Sequence, residues 1–186
     1  MGLSPSGDTY NGEGLGLPLL NGPTEFGYSY PASTVFTTDA TRTCAEGALI
    51  FCVRGNTTGR MNWADREYAL GRGVAGISGA TRSETRFIRY ALEYRLPTLL
   101  SRTTGSTMPM LRTADLKDLE IPWPDTLHEI VQFLGAIDDL VQNNRRRIEL
   151  LEETARLLYR EWFVNFRYPG HEDVPLVDSE LGPIPE

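Results

Sequence analysis

The stretch LHEIVQFLGAIDDLVQNNRRRIELLEETARLLYREW, residues 127–162, decides the fold. Leu127, Ile130, Leu134, Ile137, Val141, Asn144, Ile148, Leu151, Ala155, Leu158 and Trp162 follow one another at alternating spacings of three and four. Such a heptad seam is apolar on one side of a helix, and a lone helix cannot bury it, so it calls for a partner helix. Asn144 is its one polar member and lies at its centre. At about 1.5 Å per residue the seam runs for about 53 Å. A second apolar edge, Phe133, Leu140, Leu150 and Leu157, widens the adhesive face. Gly135, which costs about 1 kcal/mol relative to Ala inside a helix, marks a close backbone approach or a weak point.

Outward from this helix the chain changes character. Pro122 and Pro124 flank Trp123 and form a stiff hinge before it, and Pro169-Gly170 closes it. Upstream, Leu15 to Leu20 reads as a short strand in a Gly/Pro/Ser/Asn-rich opening. Ala48 to Arg54 reads as a strand ending in the turn Gly55-Asn56, and Tyr68 to Ile77 as another strand interrupted by glycines. Thr81-Arg82-Ser83-Glu84 has capping-box spacing and opens a helix to about Arg95, with Phe87, Ala91 and Tyr94 as its apolar stripe. A Gly/Ser/Thr loop from Ser101 to Met108 and a helical turn near Ala114 to Leu119 complete the globule. The expected class is α+β: a mixed globule over residues 1–122, a long coiled-coil helix over 123–168, and an acidic, Pro-containing tail over 169–186.

Composition excludes several functions. With 186 residues and 40% hydrophobic content the chain supports a real core. It has no run of eighteen apolar residues and no basic-then-apolar start, which argues against a membrane span or a secretory signal, and its two cysteines suggest reduced thiols in a cytoplasm. Cys44 and Cys52 make no disulfide framework, and with His128 and His171 they cannot assemble a zinc cluster. The net charge of −7 argues against a nucleic-acid partner until its distribution is read. Residues 40–114 carry eleven arginines against five acids, a local balance of +6, whereas residues 170–186 carry five acids and no Lys or Arg. Seventeen Arg against one Lys favours the planar donor fork that matches phosphate and guanine edges. Codon bias explains the same excess without any function.

The motifs then divide. Gly71-Arg72-Gly73-Val74-Ala75-Gly76 matches G-x-G-x-x-G, but a dinucleotide site needs that loop to open a helix directly. Here Ile77-Ser78-Gly79-Ala80 intervenes, so a glycine-permitted bend in a strand is the better reading. No Ser, Cys or His constellation suits nucleophilic catalysis, and the chain reads as a non-enzyme. The loop Arg54-Gly55-Asn56-Thr57-Thr58-Gly59-Arg60 brings Arg, Asn and Thr to a strand end. These side chains can read guanine and adenine edges and hold phosphate. Arg54, Asn56, Thr57 and Arg60 are therefore the first candidates for DNA contact, with Arg72, Arg102, Ser106 and Thr107 second. An ordinary polar surface loop has the same composition.

A family resemblance supplies context. Leu17-Pro18-Leu19-Leu20-Asn21-Gly22 with Glu25-Phe26-Gly27 resembles the opening of a target recognition domain of the specificity subunits of Type I restriction–modification systems. Residues 47–55 and 70–75 resemble two strands of that family, and residues 105–109 and 119–124 its exit into a spacer helix. Asn143-Asn144-Arg145-Arg146-Arg147-Ile148-Glu149 with Leu158 to Phe166 is similar to the spacer helix itself.

The resemblance implies a sequence-specific DNA-reading subunit without catalysis. Such a subunit binds double-stranded DNA and docks methyltransferase (modification) subunits and, through them, a restriction subunit. S-adenosylmethionine is then held by the methyltransferase, and no cofactor by this chain. Family members usually carry two recognition domains and two spacer helices, and this chain has one of each. Residues 180–186 resemble the opening of a second recognition domain. The chain is thus expected to be a half-length subunit, a decayed gene or an excised piece, working with a second half or as a homodimer. Its interface would be Leu127, Ile130, Leu134, Ile137, Val141, Asn144, Ile148, Leu151, Leu158 and Trp162. In that dimer it would read one half of a bipartite target. The competing readings are a helix-mediated scaffold or decoy without productive DNA recognition, and a nucleotide-dependent enzyme using the glycine loop.

Overall fold

The computed structural model describes residues 1–101, 103, 109–180 and 182–186. They fall into two compact units, Met1–Gln132 and Phe133–Glu186.

The first unit is built on Leu49-Ile50-Phe51-Cys52, strand β5, every residue of which is buried. Successive strand side chains point to opposite faces, so an unbroken apolar run must be covered on both. Ile50 and Cys52 face a core with Leu20, Phe26, Cys44, Tyr68, Leu70 and Val74. Leu49 and Phe51 face another with Val53, Ala75, Leu92, Leu99 and Leu111. At about 25 cal/mol per Å² of apolar surface removed from water, this two-sided burial favours the folded state.

β5 is the centre of a three-stranded antiparallel sheet, between β6 (Met61–Trp63) and β8 (Val74–Ile77). A five-stranded mixed sheet stands beside it in the order β1 (Tyr10–Asn11), β3 (Phe36–Thr37), β2 (Leu17–Leu20), β7 (Tyr68–Leu70) and β4 (Thr43–Cys44). Only the β2–β7 pairing is parallel among these.

The segment expected as one strand over 68–77 is two strands in different sheets. Gly71 and Gly73 cause the division: a Cβ at Gly71 would stand 2.1 Å from Asn21 Oδ1, and one at Gly73 2.1 Å from the Asn21 carbonyl oxygen. The tight turn feeds β8, not a helix, so the G-x-G-x-x-G match is a strand-to-strand bend.

Helix α1 (Arg82–Leu100) starts with the expected capping box. Glu84 N–H donates to Thr81 Oγ1 at 3.2 Å, and Thr81 N–H to Glu84 Oε2 at 3.3 Å. It runs a turn and more beyond Arg95, through Pro97, because Leu99 fills the second core and Leu96 packs against it. The buried stripe is Thr85, Phe87, Leu92 and Leu99, whereas Tyr94 is 82% exposed. Helix α2 (Thr113–Lys117) follows. Arg112 and Asp115 pair at its start at 3.0 Å, and the guanidinium is held above its ordinary pKa by that hydrogen bond and charge.

Helix α3 (Leu127–Tyr159) begins in the first unit, where Leu127 and Val131 pack on Phe87, with Tyr90, Ile121 and Ile130 around them. Trp123 meets Phe87 edge-on at 5.4 Å. From Phe133 onward the helix belongs to the second unit. A π-helical turn, Arg160–Val164, closes it, so Trp162 sits on that turn and not on the α-helix. The acidic tail holds an antiparallel hairpin, β9 (Leu176–Ser179) with β10 (Gly182–Pro185). Gly182, at φ +98°, supplies the backbone conformation that this turn requires, and Ser179 Oγ donates to the Gly182 carbonyl at 2.7 Å.

Candidate nucleic-acid interface

Strand direction places the candidate residues. β5 runs out at Cys52, which pairs with Val74 at the start of β8, while Phe51 pairs with Met61 at the start of β6. Arg54, Arg60 and Arg72 therefore emerge at one end of the three-stranded sheet. Val53 N–H donates to the Gly73 carbonyl at 2.9 Å, which ties the Arg72 turn to the root of the Arg54 loop.

The loop itself is well held. Gly59 N–H donates to the Cys52 carbonyl at 2.9 Å, and Cys52 N–H to the Arg60 carbonyl at 2.8 Å. Gly55 and Gly59 take φ +86° and +97°, where other residues are strained. Inside the loop, Thr58 Oγ1 donates to the Gly55 carbonyl at 2.6 Å. Thr57 is half-buried with its hydroxyl 3.7 Å from Cys52 Sγ, so it turns partly inward. Arg54, Asn56 and Arg60 point outward and are exposed. Among the described residues, none of Arg54, Arg60 and Arg72 makes a side-chain ion pair.

The segment that follows the second candidate loop joins the first loop. Gly55 N–H donates to the Pro109 carbonyl at 2.8 Å, Met110 bridges Arg54, and Leu111 N–H donates to the Val53 carbonyl at 2.9 Å. At the other flank, a Cβ at Gly59 would meet the Leu96 side chain near the end of α1. Arg102, Ser106 and Thr107 lie outside the described residues.

One exposed arginine escaped the sequence reading. Leu70 N–H donates to the Arg42 carbonyl at 2.8 Å, and Thr43 pairs with Ala69, so Arg42 sits at the end of the five-stranded sheet from which the Arg72 turn departs. Only sheet pairing shows this, because residues 42 and 72 are far apart in the chain. The acids Glu46, Asp65 and Glu67 lie at the opposite end, where β4 and β6 finish and β7 begins. Burial opposes ionisation of Asp65, but hydrogen bonds from Tyr68 and Arg66 outweigh it and hold the carboxyl below its ordinary value.

The helix seam splits. Leu127 and Ile130 are used inside the first unit, and Leu134 is half-buried. Ile137, Val141, Asn144, Ile148, Leu151, Leu158 and Trp162 are exposed. Phe133, Leu140, Leu150 and Leu157 are exposed as well. Among the described residues, no group of His, Cys, Asp and Glu is placed to hold a metal, and no helix is long and apolar enough to cross a membrane.

Known proteins are similar to this chain in sequence and in fold. Residues 32–153 match the family described as Type I restriction modification DNA specificity domain. A candidate specificity subunit of the type I restriction enzyme MjaX of Methanocaldococcus jannaschii is 32% identical over 159 residues, 84% of this chain and 37% of that protein. A chain solved in work on complex assembly and conformational transition of the type I R-M system superposes with a TM-score of 0.66 at 29% identity, over 84% of this chain and 40% of its own. The HsdS subunit of Thermoanaerobacter tengcongensis gives 0.64 at 29% identity, over 79% of this chain and 36% of its own. The chain thus spans well under half the length of each of these relatives.

Proposed function

The chain belongs to the Type I restriction modification DNA specificity family, and from that premise we propose that it reads one half of a bipartite DNA target and docks methyltransferase subunits. The observation that carries this reading is the meeting of the 53–60 loop, the 71–73 turn and residues 109–111 at one end of the three-stranded sheet, with Arg54, Arg60 and Arg72 exposed there and, among the described residues, in no side-chain ion pair. Arg and Asn side chains on a rigid strand-end loop suit base edges, and neighbouring arginines suit phosphates. The chain supplies no catalytic step. Methyl transfer and its S-adenosylmethionine belong to the docked methyltransferase, and a restriction subunit joins through it.

The exposed seam of α3 is the surface for a second recognition half, either another copy or a separate chain. Residues 127 and 162 are symmetric about position 144.5, so antiparallel pairing brings Asn144 beside its mate. A helix of 33 residues spans about 50 Å, against about 34–36 Å for one DNA turn. Two heads so separated read two short sites with a gap between them, and identical heads read inverted copies.

Co-expression with a cognate methyltransferase subunit, followed by mapping of methylated positions, tests the reading. The expected result is two inverted half-sites with a fixed unread spacer. One continuous asymmetric site, or no methylation with a methyltransferase that binds the chain, would overturn it.

A further inference from the structure

Resting on the DNA-reading role proposed above, we infer a division of labour at the arginine-bearing end. Arg42 and Arg72 are sequence-independent phosphate anchors, while Asn56, at the tip of the 53–60 connection, chooses bases.

The two groups are held differently. Arg42 lies at the mouth of the edge strand β4, its carbonyl taken by Leu70 N–H at 2.8 Å and its neighbour Thr43 in register with Ala69. Arg72 sits in a turn that Gly71 and Gly73 press against Asn21, and its N–H donates to Ser4 Oγ at 3.2 Å. Both backbones are thus flush with the sheet ends. By contrast, Asn56 lies in the Gly55–Thr58 turn at the tip of the connection 53–60, beyond the Cys52–Arg60 and Val53–Gly73 hydrogen bonds that keep Arg60 and Arg54 near the sheet end. A projecting loop enters a groove, and side chains flush with the platform beneath it meet the sugar–phosphate rims on either side.

The charge distribution fits a polyanion. Among the described residues Arg42 and Arg72 make no side-chain ion pair, so binding DNA breaks no existing one. Glu46, Asp65 and Glu67 stand at the far end, where they do not repel the duplex. Each phosphate neutralised releases condensed counterions, so a phosphate anchor shows itself in the salt dependence of binding and a base reader in the preferred sequence.

The test uses the full chain with two probes: a fixed 40-base-pair duplex titrated across salt, and a pool of duplexes with randomised interiors, selected and sequenced. Arg42→Gln and Arg72→Gln should each lower the slope of log affinity against log salt by about one, weaken every duplex alike, and leave the selected motif unchanged. Asn56→Ala should alter the motif and leave the slope unchanged. Arg82→Gln, at the opposite end of the first unit, should alter neither and serves as the control for bulk charge. A changed motif in Arg42→Gln or Arg72→Gln, an unchanged slope, or the same slope change in Arg82→Gln overturns the division. Wild-type chain without salt-dependent duplex binding overturns the DNA-reading role itself, and the division with it.

Discussion

Cys44 shows at the scale of a residue how burial becomes a measurable property. It is 7% exposed beneath Gly76, whose missing Cβ would approach within 2.8 Å of the Cys44 Cβ. Burial pushes its thiol up from 9.0 to about 11, and the Glu67 charge adds to this, against a hydrogen bond from the Tyr68 backbone. The folded state therefore holds its proton longer than the unfolded chain does. That contribution is fully present below about pH 9 and is lost as pH rises toward 11. Denaturation midpoints should fall across this window, and Cys44→Ala should flatten the decline. An equally steep alkaline limb in the variant counts against the assignment. Nothing near Cys44 in the sequence signals this shift, because its cover comes from residues distant in the chain.

Among the elements, the long helix was the most legible. A three-and-four spacing is a local property, written in consecutive turns, and α3 begins at Leu127 as the spacing requires. The use of its two ends was not legible. Leu127 and Ile130 continue the seam without a break, yet they pack on Phe87 and Tyr90. Asn144 is the element's testable feature: a buried Asn pair fixes register at some cost in stability. Asn144→Leu should give a thermally more stable assembly with more than one register, read as additional products in site-directed cross-linking along 137–151. Unchanged stability with a single cross-linked product would remove Asn144 from that role. Strands fared worse. β1, β3, β4 and β6 are two or three residues long, too short for any period to show. The β9–β10 hairpin hid in an acidic, Pro-rich segment whose composition reads as coil.

For the whole molecule, the proposed pairing carries a mass-action consequence. Exposed apolar side chains from Phe133 to Val164 gain about 25 cal/mol per Å² when a partner helix covers them, so association stabilises the folded chain. The melting temperature should rise with protein concentration, alongside a monomer–dimer equilibrium in sedimentation. A melting temperature flat across a hundredfold range, with a single monomeric species, would leave the seam for a different chain.

The sequence by itself determined the α+β class, the capped α1, the single apolar stripe of α3 and the candidate arginines at 54, 60 and 72. Each follows from neighbours within a few residues, where periodicity, capping and turn chemistry act. Tertiary structure alone decided that those arginines share one end, that Arg42 joins them, that Thr57 turns inward and that the acids lie opposite. These depend on strand pairing between residues 42 and 70, 53 and 73, and 55 and 109. Such pairings form because β5 must be covered on both faces. No local window of the chain holds both sides of that requirement.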